Sequence, residues 1–114
     1  MEKLKQLADE ICADGIKLLT LKEQCQNQKE LLINIELMQE VAVLEAVDAD
    51  GKKMYSNDVK RKIALKQLLD MDANYQQELS KLVSYEHETA ILAINISYKK
   101  RLFKYHYLIN KGAE

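Results

Sequence analysis

Few residues in this chain have the types and spacing that chemistry needs. His87 and His106 are the only histidines, and Cys12 and Cys25 the only cysteines, in 114 residues. Glu86-His87-Glu88 sets a base between two carboxylates. The helical zinc-hydrolase pattern needs a second histidine four positions on, where Ile91 stands. Cys25 falls on an apolar stripe and Cys12 beside it, where small buried hydrophobes belong, and they lack Cys-x-x-Cys spacing. Two cysteines cannot form a disulfide framework. Asp48, Asp50 and Gly51 echo part of a calcium loop. With Gly51 in the sixth position, Ala46 and Asn57 take the first and twelfth, where carboxylates are required. The segment therefore reads as a turn. No Gly-x-Ser-x-Gly and no glycine-rich phosphate loop is present. We expect no enzyme, with no catalytic residue, no metal and no cofactor.

Charge placement is more informative. Between Lys52 and Lys66 lie six bases (Lys52, Lys53, Lys60, Arg61, Lys62, Lys66) and one acid, Asp58. The cations at 60–62 follow a turn, at a helix start, where positive charge is disfavoured by the backbone dipole. They read as a contact patch for nucleic acid or another partner. A second cluster, Lys99, Lys100, Arg101 and Lys104, is interleaved with Tyr98, Phe103, Tyr105, His106 and Tyr107. Such cations can neutralise phosphates while the aromatics stack on bases. The reading preferred for this cluster is that the cations complement a helix C-terminus, with the aromatics packed around Leu4 and Leu7. With 17 bases and 18 acids the net charge is −1, which excludes binding to nucleic acid by bulk charge alone.

The elements that must position these residues are helical. Proline is absent and glycine occurs three times, too few turn residues for a sandwich or barrel. Alternate steps of three and four from Leu4 give Leu4, Leu7, Ile11, Asp14, Leu18, Leu21, Cys25, Gln28, Leu32, Ile35, Gln39, Ala42 and Ala46, ten of the thirteen apolar. This predicts one helix over about 2–47, weakest at Gly15. Asp50-Gly51 marks a turn over 48–56, with Ser56 or Asn57 capping the next helix and Asp58 in its first turn. That helix is expected over about 57–110, its stripe running through Leu65, Leu68, Asp72, Tyr75, Leu79 and Leu82, with Gly112 as its stop. The fold class is all-α: a single domain over 1–114, a long antiparallel two-helix hairpin resembling a coiled coil. At about 1.5 Å per residue it would be roughly 70 Å long. Paired positions should sum to about 105, setting Leu32 near Ala73 and Leu18 near His87.

One seam does not use all the apolar surface. Ile33, Leu37, Val41, Leu44 and Val47 form a second stripe on the first helix, and Ala90–Tyr98 is apolar nearly all round. Leaving such side chains wet forgoes about 25 cal/mol per Å². We expect self-association, most simply a dimer forming a four-helix bundle, through Ile33, Leu37, Val41, Leu44, Ile91 and Ile94. A compact monomer of three or more shorter helices, bent at Gly15, is the alternative. The lack of an eighteen-residue apolar run and of a basic-then-apolar leader points to a cytoplasmic protein with no membrane partner.

One stretch is familiar. Gly51-Lys52-Lys53-Met54-Tyr55-Ser56-Asn57-Asp58-Val59-Lys60-Arg61, followed by Ala64-Leu65 and Asp72-Ala73-Asn74-Tyr75, resembles a segment of small all-helical proteins encoded by phages and prophages of Gram-positive bacteria. The likeness spans roughly residues 45–80. Those proteins are often encoded near replication and recombination genes. The resemblance implies a prophage-borne accessory factor, transfers no catalytic residue, and marks the turn at Tyr55-Ser56-Asn57 as a contact surface. On these grounds the chain is expected to be a helical interaction or scaffold protein with itself or another protein as partner. The alternative is a DNA- or RNA-binding accessory protein.

Overall fold

The computed structural model describes residues 2–113 and is all-helical. Helix α1 spans Glu2–Glu45, α2 Asp58–Met71 and α3 Ala73–Ala113. The helices contribute to two compact units. The terminal unit holds residues up to Cys25 together with those from Ser84 on, and the central unit is Gln26–Val83.

In the terminal unit the first half of α1 packs on the later part of α3. Leu7, Cys25 and Ile96 are buried, with Leu4, Ile11, Leu18, Leu21, Leu92, Leu102 and Phe103 half-buried around them. α1 runs through Gly15 without interruption. A helix held by packing along its stripe tolerates one glycine at a cost of about 1 kcal/mol. The two helices run antiparallel, since Asp14 meets Lys99 while Cys25 meets Thr89.

In the central unit the second half of α1 packs on α2 and the start of α3, burying Leu32, Val43, Ala64 and Tyr75. α1 ends two residues before the expected position. Val47 instead forms an antiparallel bridge with Lys53, and Met54 N–H donates to Ala46 O. Between them Gly51 N–H donates to Asp48 O, with Gly51 at φ +79°, and Asp48 Oδ1 accepts from Asp50 and Lys52 N–H. This is a three-residue hairpin loop closed by a glycine in the left-handed region. Asn57 caps α2, its Oδ1 accepting from Lys60 N–H at 2.9 Å.

The expected single helix over 57–110 is two helices, divided at Asp72. There the backbone turns to φ −81°, ψ 103°, and Asp72 Oδ1 accepts from Tyr75 N–H at 3.1 Å as the cap of α3. Gln76 Nε2 donates to Leu69 O, satisfying a carbonyl at the end of α2. The capping carboxylate competes with helix continuation and wins because both ends are satisfied. The register is kept in one place and moves elsewhere. Gln28 meets Glu78 within one residue of a sum of 105, whereas Glu36 meets Tyr75, Gln39 meets Asp72 and Asp14 meets Lys99, each about two turns further along. Gly112 lies inside α3, since its φ is not positive.

Replacing Asp72 by alanine removes the cap of α3 and the acceptor for Gln39. It should lower stability by about 1 kcal/mol, measured by denaturant unfolding followed by circular dichroism. Unchanged stability would show that the break does not depend on this carboxylate.

Candidate functional site

The seam comes first, because it decides which side chains are left for function. Three of the thirteen stripe positions of the first leg are polar, and each is answered by a polar group across the seam. Asp14 Oδ2 accepts from Lys99 Nζ at 2.6 Å, with Glu10 at 3.8 Å. Gln28, itself buried, donates through Nε2 to both the backbone carbonyl and the carboxylate of Glu78, at 2.7 Å each. Gln39 Nε2 donates to Asp72 Oδ2 at 3.3 Å. The fourth polar key was not foreseen: Tyr75 Oη donates to Glu36 Oε1 at 2.6 Å. Its signal in the sequence was a tyrosine on the apolar stripe of the second leg, since a buried phenol requires a partner.

These contacts shift titrations. The hydrogen bond to Glu36 pushes the Tyr75 phenol up to about 12, aided by burial and by the charges of Glu36 and Asp70. The Gln28 and Lys81 hydrogen bonds hold Glu78 below the usual carboxylate range. Asp14 holds Lys99 protonated above the ordinary lysine range.

The cations divide accordingly. Arg61 is committed to structure: NH1 pairs with Asp58 at 3.0 Å, and Nε donates to Tyr55 O, tying the loop to α2. Lys99 is likewise engaged with Asp14. Lys52, Lys53, Lys60 and Lys62 remain exposed in the central unit, and Lys100, Arg101 and Lys104 in the terminal unit. Tyr55 is half-buried. Of the aromatics in the second cluster, Phe103 and His106 are half-buried, while Tyr98, Tyr105 and Tyr107 are exposed. Tyr105 and His106 meet edge to face at 5.5 Å.

The apolar residues expected at an interface are all exposed. On α1 these are Ile33, Leu37, Val41 and Leu44, each 42–52% exposed, and on α3 Ile91 and Ile94 at 46% and 65%. Val47, Val59, Ile63 and Met71 are also exposed in the central unit. A groove of about 150 Å³ lies between α1 and α2, lined by Glu40, Val43, Leu44, Asp58, Arg61, Lys62 and Leu65. A second, lined in part by Lys62, Leu65, Lys66 and Leu69, adjoins it and reaches Tyr75, Gln76 and Leu79 on α3. The order of residues on one helix does not reveal such grooves, since they depend on how α2 is set against α1.

Glu86, His87 and Glu88 are exposed on α3. Cys12 is exposed, and Cys25 is buried with its Sγ 3.6 Å from Thr89 Oγ1. Among the described residues no three His, Cys, Asp or Glu side chains are grouped to hold a metal ion. No described helix is long and apolar enough to cross a membrane. The chain matches no family model, no curated protein and no solved structure.

The Tyr75–Glu36 bond has a defined pH signature. The phenol's pKa in the folded protein lies above its ordinary value of 10, so its contribution is complete below pH 10 and is lost as the pH rises towards about 12. An absorbance titration should find a late phenol ionisation near pH 12, assigned to Tyr75. Tyr75→Phe should abolish that last step and cost about 2 kcal/mol, because Glu36 loses its donor. Retention of the late step in this variant would assign it to another tyrosine.

Proposed function

We propose that this chain is a non-enzymatic helical interaction protein, a scaffold whose exposed apolar faces are covered by protein and most simply by a second copy of itself. The carrying observation is the exposure of Ile33, Leu37, Val41 and Leu44 together on α1. Their spacing repeats every three or four residues, so they form one stripe and not scattered surface positions. Clustered exposed aliphatics of this kind mark interaction surfaces, and burying them recovers about 25 cal/mol per Å². A four-helix bundle is the simplest assembly that covers them. The likeness of residues 45–80 to small phage and prophage proteins supports an accessory role on a mobile element in the cytoplasm of a Gram-positive bacterium.

Sedimentation at micromolar concentrations tests the reading. A species heavier than 13.2 kDa that dissociates on dilution is expected. A single 13.2 kDa species at every concentration would overturn self-association.

A second reading, contact with DNA or RNA, is favoured by one observation: Tyr98, Tyr105 and Tyr107 are exposed on the same stretch of α3 as the exposed Lys100, Arg101 and Lys104. Binding by this route should weaken steeply with salt. Replacing Lys100, Arg101 and Lys104 with glutamine should flatten that dependence, as should Lys60→Gln with Lys62→Gln. Arg61 is left in place because its loss would loosen the loop at Tyr55. No binding to single- or double-stranded DNA or to RNA at low salt would remove this reading.

A further inference from the structure

We propose that the second copy docks on the central unit with the acidic outer stripe of α1 against the basic outer face of α2, and reciprocally, about a two-fold axis. This rests on the self-association argued above and names its surface.

The two faces carry opposite charge. From Gln26 to Glu45, α1 has four acids, Glu30, Glu36, Glu40 and Glu45, against Lys29 alone. α2 has four bases, Lys60, Arg61, Lys62 and Lys66, against Asp58 and Asp70. The fold spends Glu36 on Tyr75 and Arg61 on Asp58. Glu30, Glu40 and Glu45 against Lys29 on one side, and Lys60, Lys62 and Lys66 against Asp70 on the other, stay exposed, so each face keeps its sign. Both faces also carry apolar side chains that a partner can cover: Leu37 and Leu44 on α1, and the half-buried Leu65 of α2.

The faces are one surface. Glu40 and Leu44 line the same groove as Lys62 and Leu65, and Lys62 with Leu65 continues into the neighbouring groove beside Lys66. A two-fold axis sets residue i of one copy on j of the other and j on i. A surface with an acidic-apolar half and a basic-apolar half is therefore its own complement. Placing α1 on α1 of the second copy would set acid on acid, which disfavours that arrangement. The charges thus select the α1-on-α2 pairing from the alternatives that apolar contact alone leaves open.

The test uses two full-length variants altered only at exposed positions. One carries Glu30→Lys with Glu40→Lys, the other Lys62→Glu with Lys66→Glu. Circular dichroism confirms that each is folded. Sedimentation of the wild type at low salt should give a dimer. Each variant alone should associate at least tenfold more weakly, because its two faces now share a sign. An equimolar mixture should restore the dimer as a heterodimer, identified by a mass tag on one chain, and high salt should blunt every difference. If the wild type dimerises and both variants match it, the surface lies elsewhere: this inference falls while self-association stands. If the variants are monomeric and their mixture stays monomeric, the α1-on-α2 pairing is overturned. A wild type that stays monomeric at all concentrations removes the underlying reading as well, and if it shifts on adding duplex DNA at low salt, the basic face belongs to nucleic acid.

Discussion

Two packed α-helices shield one stripe apiece, and in this chain that stripe is narrow and partly polar. Among the described residues, only Leu7, Cys25, Leu32, Val43, Ala64, Tyr75 and Ile96 of the apolar side chains are buried. Hydrophobic burial is non-directional, so a short roll of this kind cannot by itself select one sliding position between two helices. The polar contacts supply that selection. Gln28 is satisfied only where Glu78 offers both its carbonyl and its carboxylate, and Asp14 only where Lys99 reaches it. A buried amide or carboxylate without its partner is costly, so displaced registers are penalised more than the matched one is rewarded.

The same limit decides what remains outside. Side chains that cannot enter a single seam stay in water, and in the central unit they sort by charge. Part of the chain's formal charge is consumed by architecture. Arg61 anchors the loop, Lys99 the terminal unit and Glu36 the phenol of Tyr75. Counting bases along the sequence therefore overstates the surface available to an anionic partner. What is left on α1 and α2 is a pair of oppositely charged apolar faces, and electrostatic complementarity of that sort selects partner and orientation more than it supplies raw affinity.

Tyr75 and Asp72 illustrate how closely folding and topology are joined here. Asp72 ends one helix, caps the next and receives Gln39. Three residues later Tyr75 enters the seam and meets Glu36. The helix break and the buried phenol are thus adjacent parts of a single arrangement. The break stands where the periodicity held a polar residue on the stripe of the second leg. An aspartate at such a place has two readings, a seam contact and a cap, and it serves as both.

The amino-acid order determined that the chain is helical, where the stripe of α1 runs, that the chain turns at Asp50-Gly51 and that Ser56 or Asn57 caps the next helix; the structure chose Asn57. These follow from periodicity, propensity and turn chemistry, which act over a few residues. Of the thirteen stripe positions, Ala42 alone is exposed, and the neighbouring Val43 is buried in the central unit. Only tertiary structure decided the division at Asp72, the shifted register, the engagement of Arg61 and Lys99, and the groove that joins Leu44 to Leu65. Each of these depends on atoms brought together from distant parts of the chain or on competition between a cap and a continuing helix. Local pattern carries no term for either.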